Sequence, residues 1–280
     1  MKNCLWRTMK EVGKLLNNLF LKSCRDQIKP LLWWGIGIAS LVVITMLVYP
    51  SMRDNSEGYS QLIDSMPEPL IAAFVGEFTD FGSPEGFLGS QLFFVLVPLI
   101  YILFSIISAS GTMAGEERRG ILEMLLSYPV DRRSVVVHKF LALVVAGFVF
   151  GAFIWSSVLL GILLVSMEIS LLRVTETVAS AFLFGTAFSA FTLFLSAATG
   201  NRGFSVGIAS AVAFASYIIY TMGQQVDFLE PFSRVSLFHF YIGSNPLVNG
   251  LDMTHSITLV GIAAAFLYLA IFAFERRDIK

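Results

Sequence analysis

The sequence predicts an all-α, polytopic membrane protein of six transmembrane helices, preceded by an amphipathic helix on the membrane surface and carrying one short amphipathic helix between the second and third spans. Three observations carry this reading. Of 280 residues, 56% are hydrophobic and only 14% charged, with a mean hydropathy of +0.74, well outside the composition of a soluble domain. Six segments are long and free of charge: Leu31–Tyr49, Phe87–Met113, Phe140–Ser166, Val178–Thr199, Phe204–Met222 and Ser256–Phe274. The basic residues between and around them fall almost entirely on one side.

The first 29 residues are too polar for a signal peptide and lack its apolar core. Apolar residues recur at helical spacing (Leu5, Met9, Val12, Leu16, Leu19, Phe20, Cys24), with Arg7, Lys10, Lys14, Lys22 and Arg25 largely opposite. Residues 1–29 therefore read as an amphipathic helix lying in the membrane interface. The chain is expected to turn into the bilayer near Pro30, with Trp33 and Trp34 at the level of an interfacial aromatic belt. A solvated basic tail is the alternative.

Residues 30–280 then form one six-helix domain. A 19-residue segment spans about 28 Å as a helix, close to the hydrocarbon thickness. Backbone groups in lipid must be satisfied within their own segment, so each span is a helix. With six spans laid out, sixteen of the nineteen basic residues lie on one side: the N-terminal tail, the loop after the second span, Arg202, and Arg276, Arg277 and Lys280. Arg53, Arg173 and Arg234 alone lie on the other. By the positive-inside rule both termini are cytoplasmic, in a cell membrane. Acids lean outward, seven of them between Asp54 and Glu85. The net charge of −1 hides two opposed faces and offers no footing for nucleic acid.

Two loops carry more than connection. In 114–134, Ile121, Leu122, Leu125 and Leu126 share one helical face, flanked by Glu116, Glu117, Arg119 and Glu123. The two acids suit a first turn, Pro129 ends the helix, and Asp131 caps the next one, which runs into the third span. A helix over 116–127 is thus expected, with an apolar face suited to a protein groove or, alternatively, simply resting on the membrane. In 223–254, Phe, Pro and Gly predict short broken helices at the outer interface. The first outer loop holds Leu70, Ile71, Phe74 and Phe78 at helical spacing after Pro67 and Pro69; a solvated cap is the simpler reading.

Within the spans, Pro98 predicts a kink in the second. Gly147-x-x-x-Gly151 and Gly203-x-x-x-Gly207 permit close helix packing. The turn at Gly200-Asn201-Arg202-Gly203 makes the fourth and fifth spans antiparallel neighbours.

The spans also exclude functions. None contains Asp, Glu, Lys, Arg or His, the residues that serve proton relays and voltage sensors. Cys4 and Cys24 share the reducing side, and His138, His239 and His255 show no metal spacing and no nucleophile–base pair. No internal repeat supports an inverted-repeat carrier. No G-x-x-x-x-G-K-[ST] loop is present to hold a nucleotide. If the chain moves a solute uphill, a partner supplies the work.

Residues 116–133 resemble the corresponding loop of ABC-2 type transporter permeases, whose pattern runs E-x-x-x-G-T-L-E-x-L-L-x-x-P-[VI]-x-R between the second and third of six helices. Glu116, Gly120, Leu122, Glu123, Leu125, Leu126, Pro129, Val130 and Arg132 match, and Ile121 replaces the usual Thr. Pro231-Phe232 and Asn245-Pro246-Leu247-Val248-Asn249-Gly250 are similar to a run that precedes the last helix in the same family. The resemblance implies that 116–127 is a coupling helix on which ATPase subunits dock through Glu116, Glu117, Gly120, Ile121, Leu122, Glu123, Leu125, Leu126, Pro129 and Arg132. It implies re-entrant helices at Pro231, Phe232, Asn245, Pro246 and Gly250. It further implies two cytoplasmic ABC ATPase subunits that use ATP and Mg, a second permease copy (identical or related), export, and no cofactor or catalytic residue on this chain. A Phe-rich path suggests lipophilic or amphipathic cargo. A membrane scaffold that recruits a soluble protein through the same loop, without transport, is the alternative.

Overall fold

The computed structural model describes residues 2–76, 80, 82–127, 130–223, 225–226 and 228–277; for residues 2–18 and 64 it describes the backbone alone. Among them there is no strand. The helices are α1 (Lys2–Asp54), α2 (Ser56–Asp64), α3 (Glu68–Phe74), α4 (Pro84–Leu88), α5 (Leu96–Ser110), α6 (Ile121–Leu126), α7 (Arg132–Val165), α8 (Leu171–Thr199), α9 (Arg202–Met222), α10 (Glu230–Ser233), α11 (Leu237–Ile242), α12 (Pro246–Asn249) and α13 (Met253–Arg276). Six helical stretches are long and apolar enough to cross a membrane: Leu19–Asp54, Pro84–Gly115, Arg132–Val165, Leu171–Thr199, Arg202–Met222 and Met253–Arg276. The protein is a six-span, all-α membrane protein.

The N-terminal segment differs from expectation in one respect. α1 runs without interruption through Pro30, where a turn was predicted, so the surface segment and the first span share one helix. Proline removes one backbone donor there, and the helix tolerates the loss. Phe78 and Pro129 lie outside the described residues.

The second span is broken rather than kinked at Pro98. A π-helical turn at Gly89–Phe93 and a turn at Phe94–Val95 interrupt it, and α5 restarts at Leu96. Pro98 falls in the first turn of that new helix, where a missing N–H costs nothing. A second π turn, Gly111–Gly115, closes the span. Such turns shift the hydrogen-bond register locally. The carbonyls of Phe93 and Thr112, one in each π turn, accept bonds from side chains outside the span: Tyr241 Oη at 2.8 Å and Lys139 Nζ at 2.6 Å.

α8 is the hub of the bundle, packing against α5, α7, α9, α13 and the short α11 and α12. The second and fourth spans are mostly buried, whereas the first, fifth and sixth expose most of their surface for lipid or another protein. α1 lies along α7, brought close by glycines. A Cβ on Gly35 would stand 2.8 Å from the Phe153 ring, and one on Gly161 would stand 2.8 Å from Met46 Cβ. Gly147 and Gly151 serve Tyr101, whose hydroxyl donates to the Gly147 carbonyl at 2.5 Å. Gly207 has open space around it, so the Gly203–Gly207 pair plays no part in packing within the chain.

The core is aromatic. Phe104 stacks on Phe150 at 4.5 Å, and Tyr101 meets Phe150 edge-on at 5.2 Å. Phe184 stacks on Tyr241 and meets Phe188 and Phe238 edge-on. A second cluster, including Met113, Leu122, Val135, Val136, Leu143 and Phe274, sits at the basic end. There Gly200 takes a left-handed conformation (φ +63°) and Asn201 caps α9 through the Phe204 N–H, making the predicted antiparallel turn.

Candidate functional site

The loop between the second and third spans is a turn and a short helix pinned to the bundle by buried polar contacts. Glu116 and Glu117 continue the helix just past the π turn that closes the second span, instead of starting a separate helix. The chain then turns at 118–120, using Gly120 at φ +68°, a conformation glycine adopts without strain. Ile121–Leu126 follow as α6. The expected helix over 116–127 is therefore divided at Gly120.

The orientation of α6 also departs from expectation. Leu122 is fully buried, and Leu125 and Leu126 pack beside it against the second core cluster. The apolar face thus seals the chain's own bundle rather than waiting for a groove. Arg118, Arg119, Glu123, Met124 and Ser127 point away, with Met124 69% exposed. Ile121 is half-buried at the edge.

Glu116, Glu117 and Arg132, expected on a docking surface, are occupied within the chain. Glu116 accepts from Lys139 Nζ at 2.6 Å, with Lys139 completely buried. Lys139 also donates to the Thr112 carbonyl, and Thr112 Oγ1 accepts from Gln27 Nε2 at 2.9 Å. The third span therefore begins eight residues earlier than the charge-free segment, and it does carry a charge. Sequence reading missed this pair because Lys139 sits beside an apolar run and its partner lies 23 residues away.

Glu117 pairs with Arg277, whose guanidinium also donates to the Ala197 carbonyl at 2.9 Å at the end of α8. Burial lowers the Arg277 pKa from the usual arginine range. Arg132 donates to the carbonyls of Phe274 (3.1 Å) and Arg277 (2.6 Å), and Arg133 pairs with Glu275. Asp131 caps α7 through the Arg133 N–H, as predicted. Spans two, three, four and six are thereby laced together at the root of α6.

The opposite end is closed by α10, α11 and α12, the short broken helices expected there. Pro231 and Phe232 are exposed on α10. Pro246 is buried, Asn245 is left-handed at φ +49°, and its buried Oδ1 has no hydrogen-bond partner among the described residues. Gly250 adopts φ +93°, and a Cβ there would run into the Arg173 guanidinium. Tyr241, not singled out from sequence, anchors the segment: its hydroxyl reaches Phe93, and its own carbonyl accepts from Ser180 at 2.7 Å. Burial raises the Tyr241 pKa. His239 and His255, far apart in sequence, bring their rings to 5.0 Å. Burial, then His255 and Arg234, lower the His239 pKa.

Among the described residues no cluster of three or more His, Cys, Asp or Glu stands ready for a metal. Six apolar spans with their polar chemistry gathered at the two ends define a multi-pass membrane protein. The family model of the ABC-2 family transporter protein matches residues 17–279, and the chain belongs to that family. It is a transmembrane permease of an ABC transporter, a non-catalytic subunit whose family implies association with ABC ATPase subunits. No curated protein matches the sequence.

Proposed function

We propose that this permease exports a lipophilic or amphipathic solute, driven through α6 by two separate ATPase subunits that bind the ATP and Mg. The observation that carries the reading is the mounting of α6: Leu122 fixes its inner face to the bundle, while Glu123 and Met124 are left outward for a partner. The excess of basic residues supports a cytoplasmic setting for this end and for both termini. Closure of the ATPase pair would press on the turn at 118–120 and on α6. Glu116 and Lys139 pass that displacement to the second and third spans, and Glu117 and Arg277 pass it to the fourth and sixth. A second permease copy, identical or related, completes the pathway at the interface between the two, and α10–α12 close its outer end. The permease itself binds no nucleotide or metal.

The test is co-reconstitution in proteoliposomes with a cognate ABC ATPase. Hydrolysis is expected to rise on assembly, with ATP-dependent movement of at least one of tetraphenylphosphonium, a short-chain fluorescent lipid or an amphipathic peptide. Met124→Asp or Glu123→Arg should abolish both. Unchanged stimulation in both variants, or accumulation by the permease without an ATPase, would overturn the proposal. Binding of the ATPase with no movement of any probe would favour a scaffold.

A further inference from the structure

A cleft of about 420 Å³ opens between α1, the π turn that ends the second span, and the start of α9. Its polar lining comes from Lys22, Asp26 and Gln27 of α1, Arg119 of the turn, and Arg202 at the head of α9. Arg202 lies across the flat face of the π turn. Its guanidinium and its Cδ come within 4.0 Å of where a Cβ would stand on Gly111 and Gly115 respectively.

The charges in the cleft do not balance. Glu116 also lines it but is taken by Lys139. Of the charges left, Lys22, Arg119 and Arg202 are cationic, Asp26 alone is anionic, and none of these four forms an ion pair among the described residues. A half-enclosed concavity with surplus positive charge attracts an anion. A second, independent feature belongs to the same lining. Ser23, only 4% exposed, lines the cleft, and its Oγ has no hydrogen-bond partner among the described residues. A buried hydroxyl is rarely left so.

Depth says which anion. Lys22 and Arg202 stand at the ends of membrane-crossing helices, the level of lipid headgroups. Exposed apolar side chains lie on the bilayer side of them: Ile107 in the cleft lining and Phe204 two residues into α9 from Arg202. Phosphate is the shared chemistry of a free ion and of a lipid headgroup, but a free ion has no use for the apolar flank.

We infer that this cleft is a binding site for the phosphate of an anionic phospholipid of the leaflet at the basic end, held by Lys22, Arg119, Arg202 and the Ser23 hydroxyl, with its acyl chains over Ile107 and Phe204. A lipid seated there touches α1, the π turn, the turn before α6 and α9 together. Its headgroup charge would thus bear on the same root that carries α6.

The test is native mass spectrometry of the full-length chain, purified in detergent without any ATPase, so that its outcome is independent of the transport reading. Dioleoylphosphatidylglycerol should be retained well above dioleoylphosphatidylcholine. Arg119→Gln and Arg202→Gln should each weaken retention on the order of fivefold, the worth of one cation near an anionic headgroup. Arg276→Gln, whose side chain lies over Phe272 on α13, should change nothing. Arg119 is exposed in a turn, so its substitution leaves folding intact. Equal retention of the two lipids, or retention in both cleft variants equal to the parent protein, would overturn the site. Displacement of phosphatidylglycerol by an equal concentration of inorganic phosphate would overturn the lipid assignment.

Discussion

At the level of single residues, the buried Lys139–Glu116 pair is the most consequential contact in the chain. Two charges withdrawn from water cost several kcal/mol in desolvation, and the pair is tolerable because the Thr112 carbonyl and the carboxylate satisfy the ammonium together. Removing one partner strands the other. Lys139→Met should therefore destabilise the protein by about 3–5 kcal/mol, while Lys139→Met with Glu116→Gln should recover most of that loss. Thermal unfolding in detergent, arranged as a double-mutant cycle, checks both. Near-additive effects would show that the two groups do not interact. Tyr241 makes the corresponding contact at the other π turn with a neutral hydroxyl, so Tyr241→Phe should cost only about 1 kcal/mol. Neither contact was legible in the sequence. Hydropathy marks Lys139 as the edge of a span and Tyr241 as one more loop aromatic, because a partner 23 or 148 residues away leaves no local signal.

At the level of elements, periodicity was informative and direction was not. The spacing of Leu122, Leu125 and Leu126 announced an amphipathic helix and Asp131 a cap, whereas Gly120, which divides the expected helix, was read as part of it. The pattern states that one face is apolar; it does not state what covers that face. The bundle covers it. A span ending in a π turn brings the chain back over the second core cluster, which only the tertiary arrangement reveals. The same limit applies to Pro98, where the break lies several residues upstream, and to Pro30, which α1 passes straight through. Substitutions on the two faces of α6 should therefore separate. Leu122→Ala, which empties a fully buried site, should cost about 2–5 kcal/mol. Met124→Asp on the outer face should leave the unfolding temperature close to that of the parent while removing stimulation of the ATPase. If Leu122→Ala leaves stability unchanged, or Met124→Asp unfolds the protein, the faces have been assigned the wrong way round.

At the scale of the whole molecule the two ends are built from different interactions, and hence respond to different conditions. The six-span layout and the charge asymmetry were plain in the sequence because hydropathy and basic-residue counts are sums over many positions. The means of closing each end was not, because it rests on a few long-range pairs. Ion pairs lace the basic end. The acidic end is held by aromatic packing, by Tyr241, and by Asp252, which caps α13 through the N–H groups of Thr254 (2.6 Å) and His255 (3.2 Å). The N–H groups of His255 and Thr254 hold the Asp252 carboxyl below the usual carboxylate range, so its contribution is kept above that range and lost as the pH falls through the lowered value. His239 titrates sooner. With its folded-state pKa lowered by burial and by His255 and Arg234 nearby, the unfolded chain binds the proton more readily. Its stabilising contribution is complete above an ordinary histidine pKa of about 6.5 and falls away as pH drops through the lowered folded value. Lowering the pH from about 7.5 to about 5 should accordingly loosen α11 and α12 while α6 stays as it was. Hydrogen exchange corrected for intrinsic rates should show protection lost over 237–249 but not over 121–126. In His239→Asn, which has no proton to take up, the two pH values should give the same protection over 237–249. Loss of protection at both ends together, or an undiminished acid effect in His239→Asn, would mean that the acid response does not originate at this histidine.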